Sequence, residues 1–349
     1  MAELIKISLV FLVIIALTFL KIRLWVILLL ATLMLGILFH LSISKIAIDL
    51  LSSAWDERTL LLISTLVAIL LFSNLLKETG RMNEILEGFR NIFRDIRIVI
   101  TLLPAMIGLM PIVGGALVSA PMVVEGSDEL KLSPERRTFI NYWFRHVWEY
   151  ILPTFPALVL AATLIGIPVR QLGWIKFPLT PTAILSGTVV GFLGVSKSVR
   201  PKHPEKRVSG WRLFIDLFPL LFVLILVVGF KVELPYAFGL TILGMVIFYR
   251  IGRQTFLKSL KDSLSLELLW TVFIVMGFKK VLESSQALPA VSNILLSSGI
   301  PCWLIAISIP LFIGLMTGLT IAPIAIGFPI LIPIFQNDPN SLDYMMLAF

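Results

Sequence analysis

The sequence predicts an all-α polytopic membrane protein made of two inverted repeats, each with about five spanning helices and one re-entrant broken hairpin. Three observations carry this. Hydrophobic residues make up 58% of the chain and charged residues 14%, and the mean hydropathy is +0.98, against roughly half apolar and a quarter charged in a soluble globule. Apolar runs long enough, with modest tilt, for a hydrocarbon core of about 30 Å recur along the chain, among them Ile7 to Leu20, Leu24 to Leu41, Leu60 to Leu76, Leu213 to Phe230 and Leu234 to Tyr249. Finally, one proline- and glycine-broken apolar stretch, Leu103 to Val124, returns in altered form from Ile309 to Pro333.

Taken in order, the first two runs flank Lys21 and Arg23, and a short segment through Lys45, Asp49 and Trp55 leads to a third span near residues 59–77. The first run has only Lys6 ahead of it and no small-residue cleavage site before Lys21, so it reads as a retained span. From Arg81 to Arg97, Met82, Ile85, Leu86, Phe89, Ile92, Phe93 and Ile96 recur at helical spacing among charged residues. That pattern predicts one helix over 81–97, lying in the interface. After the first broken stretch, Ser133 and Pro134 suit a helix N-cap and first turn. The helix they start is rich in Trp, Tyr and Phe, as interfacial segments are, and then descends as a span through Pro153 and Pro156 to about Ile167. A further span near 180–195 precedes the basic stretch 197–212.

Spans near 213–230 and 234–249, an amphipathic linker from Arg253 to Leu264 and a span over 266–282 then repeat the earlier order. Ile-Gly-Leu-Met occurs at Ile107 to Met110 and again at Ile313 to Met316, each three residues after a proline and 206 residues apart. The broken stretches share six identities over 22 positions at that offset. Order, linker type and broken segment agree, which favours a true repeat over chance likeness among apolar helices. The domain reading is residues 1–196 as the first repeat with a hairpin at about 98–124, residues 197–212 as a basic cytoplasmic loop, and residues 213–349 as a second repeat with a hairpin at about 302–334. Partners of the spans at 151–167 and 180–195 would lie beyond Phe349, so the second repeat is expected to be truncated.

Lys and Arg placement decides whether the broken stretches cross. With both re-entrant, 21 of these residues fall inside and 8 outside; if the first crosses, the better orientation gives 17 against 12. The bias favours re-entry. Five crossings per repeat is an odd number, which inverts the second repeat, an architecture found in many secondary transporters. The same loop placement explains the formal charge of +8 without a nucleic-acid partner.

Candidate binding residues follow from the breaks. Pro111, Gly114 and Gly115 interrupt the first helix and Ser119 adds a hydroxyl, while Thr317, Gly318, Thr320 and Pro323 stand in the second. Freed backbone groups and helix ends at such positions can hold an ion at membrane depth; the same small residues also suit close helix packing. Asn141, Arg145 and Glu149 fall four apart on one helical face with His146 beside them. Arg145 can hold a carboxylate bidentately and His146 or Glu149 can relay a proton, or Arg145 and Glu149 form an internal pair on an interface helix. Asn74 can line a cavity or sit at the boundary. No catalytic residue and no metal set is expected: His146 and Glu149 lack further nearby His or Cys, Gly114-Gly115 is not a phosphate loop, and the single Cys302 excludes an intrachain disulfide.

From Pro104 to Pro121, then Ser133-Pro134-Glu135 and Phe139 to Glu149, the chain resembles an uncharacterised prokaryotic integral membrane protein family, a domain of unknown function. That family is grouped with the ion transporter superfamily, alongside gluconate and citrate permeases. The resemblance implies paired re-entrant hairpins and transport of small, often anionic, solutes coupled to Na+ or H+, with the site near residues 111–119 and 317–323. Relatives continue past the end of this chain, and the Ser-Asn-Thr pattern of carboxylate transporters is absent from both tips. The expectation is therefore a non-enzymatic permease of the inner membrane, without a cofactor, whose partners are the bilayer and a small organic anion, with a homodimer as the candidate assembly. An intramembrane enzyme or an accessory subunit acting through a partner is the competing class.

The re-entrant reading places Gly126 to Lys131 on the cytoplasmic side with Arg81 to Arg97. Single cysteines at Asn91 and Ser127 in a Cys302→Ser background are expected to react with a membrane-impermeant thiol reagent only in opened cells; labelling of the second site alone from outside would overturn it.

Overall fold

The structure, a computed structural model, describes residues 2–93, 95–109, 115–128, 130–195, 210–286, 300–318, 320–335 and 338–349. Pro111, Gly114 and most of the basic stretch expected at 197–212 lie outside the described residues. The described chain is helical, and among these residues no strand occurs. The helices are α1 (Ala2–Phe19), α2 (Leu24–Leu38), α3 (Ile43–Ala54), α4 (Glu57–Glu78), α5 (Arg81–Ile92), α6 (Ile96–Gly108), α7 (Gly115–Asp128), α8 (Pro134–His146), α9 (Pro156–Ile165), α10 (Val169–Lys176) and α11 (Leu179–Phe192). Then come α12 (Gly210–Leu224), continued by a π-helical turn at Ile225–Gly229, α13 (Leu234–Phe248), α14 (Arg253–Ser263), α15 (Leu266–Ser284) and α16 (Cys302–Thr317). A second π-helical turn at Pro323–Gly327 leads into α17 (Phe328–Phe335), followed by α18 (Ser341–Ala348).

Two of these helices are long and apolar enough to cross a membrane, Glu57–Glu78 and Trp211–Gly229, and a third candidate is the pair α9 and α10, bent by 109°. Other runs that read as spans in the sequence form shorter apolar helices. The 15 residues of α2 rise only about 23 Å at 1.5 Å per residue. The stops are local. His40 takes φ 61°, and the amides of His40 and Leu41 bond back to the carbonyls of Ile37 and Gly36 at 3.1 and 2.9 Å, a left-handed C-terminal motif that satisfies the last carbonyls. The same motif recurs 210 residues on, where Arg250 takes φ 49° and the amides of Arg250 and Ile251 reach Ile247 and Val246. Lys21 and Lys231, also 210 apart, take φ 55° and 57°. α1 to α4 and α12 to α15 therefore form two series of like order with matched stops.

Two sequence expectations are corrected by this geometry. The single helix over 81–97 breaks after Ile92, because Asp95 turns extended and its carboxylate accepts the Arg97 amide as the N-cap of α6. The span from Tyr150 to Ile167 is instead a run of turns followed by the 10-residue α9, since Pro153 and Pro156 each remove an amide the helix would need.

The chain divides into two compact units, each discontinuous in sequence. In the first, comprising residues 1–64, 159–168 and 265–349, α15 packs against α2 and α3. Gly36 of α2 lies against the Ile46 and Val281 side chains, and Gly277 of α15 against those of Leu50 and Ser53, so neighbouring side chains fill the place a β-carbon would take. Trp25 and Trp270 pair with centroids 6.1 Å apart. α16 and the segment from Pro323 form an antiparallel pair: Gly314 faces Pro323, while Gly327 faces Pro310 and Ile313.

In the second unit, residues 65–158 and 169–264, the remainder of α4 meets α13 through Phe72 and Phe238, edge to face at 5.5 Å. It meets α14 through Asn74, which donates to Ser263 Oγ at 2.9 Å, so Asn74 is a helix-to-helix contact. α5 is fastened to α12 by Arg81, whose guanidinium lies 2.6 Å from the buried Asp216 carboxylate and 2.7 Å from Glu84. Ser127, chosen above for labelling, is buried, with its hydroxyl donating to Val124; the neighbouring Asp128 side chain is 64% exposed, and the reporter cysteine belongs there.

Candidate functional site

The site is built on α6, α7, α8 and α11 of the second unit. α6 and α7 run antiparallel, with Gly126 near the end of α7 against Ile100 and Ile96 near the start of α6. At 13 and 14 residues, each rises only about 20 Å. α8 starts as the sequence indicates, with the Ser133 hydroxyl accepting the Arg136 amide and Pro134 in the first turn. Ile100, Ala105, Val123, Ile140, Phe144, Val147 and Ala183 join these helices in one buried apolar cluster.

Close approach is set by glycine. A β-carbon at Gly108 would collide with the Arg145 backbone carbonyl, and one at Gly187 with the Trp143 indole. The aromatic side chains of α8 and the turn after it do more than anchor. Trp143 Nε1 donates to the Ala183 carbonyl at 2.7 Å, Trp148 Nε1 to Ala105 at 2.9 Å, and Thr180 Oγ1 to Val147 at 2.9 Å. The two indole bonds add to the helices' own, since Ala105 also accepts the Leu109 amide and Ala183 lies within α11, and they tie α8 and the turn after it to α6 and α11.

On this frame several sequence-predicted residues come together. Ser119 Oγ donates to Asn141 Oδ1 at 2.6 Å, both side chains being buried. One turn on, Arg145 Nη1 lies 3.2 Å from His146 Nε2, and His146 Nδ1 lies 2.6 Å from the Tyr142 carbonyl. Because the carbonyl only accepts, Nδ1 carries the proton and Nε2 accepts from Arg145. Burial lowers the proton affinity of His146, and the Arg145 charge acts the same way against the Tyr142 bond. Glu149 Oε1 stands 3.7 Å from His146 Nε2. Glu149 is not on the helical face expected for it, since α8 ends at His146 and the chain turns through 147–152. It lies outside the apolar helices, and burial pushes its carboxyl up to about 7 against the opposing pull of Arg145.

Gly115 is the first residue of α7. In the first unit, Thr317 donates to the Ile313 carbonyl at 2.9 Å. Gly318 closes α16 at φ 63°, a conformation in which a side chain is strained. Thr320 is exposed, and Pro323 opens the π-helical turn. Trp143, Trp148, Gly108 and Gly187 were not singled out from sequence. Their signal was an aromatic and glycine pattern with several readings, and only the facing carbonyls distinguish a bonded indole from an interfacial one. Among the described residues no group of His, Cys, Asp and Glu is arranged to hold a metal.

An all-helical chain with, among the described residues, two helices, or three with the bent pair, long and apolar enough to cross a membrane is consistent with a helical membrane protein. More particularly, the chain belongs to the family described as protein of unknown function DUF401, whose model matches residues 3–349. No curated protein matches it.

Gly108→Ala is expected to lower stability by about 1–3 kcal/mol by forcing α6 from α8, read as a lower thermal midpoint in detergent, whereas Gly239→Ala, with open space at the β-carbon, leaves it in place; equal midpoints for the two would overturn the close-approach argument. Glu149 supplies a pH dependence. Its folded value lies above the ordinary 4.5, so the folded state keeps a proton the unfolded chain has released. Stability therefore falls as pH rises from 4.5 to about 7 and levels off above, by roughly 3 kcal/mol in all. Glu149→Gln is expected to flatten this profile, and an unchanged slope would assign the dependence to another group.

Proposed function

We propose that the protein is a secondary transporter, a permease moving a small organic anion across the inner membrane by alternating access with Na+ or H+ as the coupling ion. The observation that carries this reading is a broken, antiparallel helix pair occurring at matching places in two series of helices, the first pair backed by Ser119, Asn141 and Arg145. The matched left-handed stops 210 residues apart support two repeats, and the charge bias supports their inversion. Helices of about 20 Å are too short for a core of about 30 Å, which favours re-entrant hairpins over spans, as the relation to the ion transporter superfamily implies.

In this reading the broken pairs supply backbone groups to the solute, and Arg145 supplies the charge that selects an anion. Glu149 and His146 beside it are the candidates for carrying a coupling proton. Purified protein in liposomes is expected to accumulate an organic acid only under a Na+ or H+ gradient. Arg145→Gln is expected to reduce that uptake at least tenfold while leaving the thermal midpoint near that of the parent. Currents independent of any gradient, or full uptake by the variant, would overturn the proposal.

A further inference from the structure

A groove of about 640 Å3 lies between α12 and α13 in the second unit, and its walls are almost wholly apolar. Trp211, Phe214, Phe218 and Phe222 form a ladder along α12, with successive centroids 5.6, 6.4 and 5.6 Å apart. Opposite stand Leu240, Leu243, Gly244 and Ile247. Thr241 is the one hydroxyl of its alcohol residues, and it is committed to the Ala237 carbonyl at 2.8 Å. Away from the Trp211 and Tyr249 end, a polar solute therefore finds nothing to bind, whereas a hydrocarbon chain does.

Length and polarity identify that chain. From Trp211 to Phe222 the helix rises about 16 Å, close to half of a hydrocarbon core of about 30 Å, the depth of one leaflet. Only one end is polar. There Trp211 and Tyr249 carry the amphipathic rings characteristic of the membrane interface, and Tyr249 OH reaches the Ile215 carbonyl at 3.4 Å. Arg81 lies 4.5 Å over the Tyr249 ring and is held by Asp216 and Glu84. Arg212, 65% exposed with Glu84 at 3.4 Å, follows Trp211 in the chain, and the exposed Arg250 follows Tyr249. Three guanidinium groups against two carboxylates leave an excess of positive charge where a headgroup would sit.

We propose that this groove seats an acyl chain of an anionic membrane phospholipid whose phosphate lies against Arg212 and Arg250. The site is independent of the transport reading, since it uses neither broken pair.

The test is native mass spectrometry of the full chain released from vesicles of equal phosphatidylglycerol and phosphatidylcholine, together with crosslinking by a phosphatidylglycerol carrying a photoreactive acyl chain. Expected are a several-fold excess of retained phosphatidylglycerol and crosslinks in peptides of both α12 and α13. Gly244→Leu, at a position with open space around its β-carbon, is expected to remove the retained lipid and the crosslinks. Arg212→Gln with Arg250→Gln is expected to erase the headgroup preference while the acyl crosslinks persist. Crosslinks elsewhere only, or lipid retention unchanged by Gly244→Leu, would overturn the proposal. So would conversion of a dimer to a monomer by Gly244→Leu with no change in bound lipid, which would assign the groove to a second copy.

Discussion

Every break in an apolar helix leaves backbone carbonyls and amides without their helical partners, and where water is scarce those groups must find others within the protein. Much of this structure is the answer to that constraint. At the ends of α2 and α13 the answer is local, a residue in the left-handed region whose amide and the next turn back onto the last carbonyls. Near the end of α6 it is tertiary, with Thr154 donating to the Leu109 carbonyl at 3.4 Å. The tertiary answer ties the broken pair to the segment after α8, and so holds Arg145 and Glu149 beside it.

The same requirement explains why glycine is concentrated where helices cross. The facing backbone at Gly108, and the Ile46 and Leu50 side chains at Gly36 and Gly277, leave no room for a β-carbon, and small residues at such crossings are how helices gain contact when hydrophobic transfer contributes little between them. Close crossing at Gly108 brings the α8 backbone against α6, which places Asn141 within reach of Ser119. Packing and polar placement are thus one arrangement.

The helical class, the two broken stretches and the order of elements were legible in the sequence, because hydrophobic runs, Pro and Gly breaks and charged linkers each leave a compositional trace. Ser133 and Pro134 gave the start of α8 for the same reason. The lengths of α2 and α13 were not legible. Their stops use His40 and Arg250 at positive φ, residues with no strong turn signature. Ser119 with Asn141 needed tertiary contact to become a pair, and the indole bonds of Trp143 and Trp148 depend on carbonyls 40 and 43 residues away in sequence. Glu149 was misplaced because four-residue spacing says nothing once a helix has ended.

The first unit draws α2 and α3 from the early part of the chain and α15 from the late part, while the second draws the end of α4 from the early part and α13 and α14 from the late part. During synthesis Gly36 of α2 therefore emerges some 245 residues before Val281, a residue that closes on it. At roughly 5–20 residues per second that is a wait on the order of ten seconds or more, during which every residue of the second unit is made. Completion of the first unit is consequently timed by the ribosome, and a chain interrupted before α15 leaves an open helical surface for quality-control proteases to recognise.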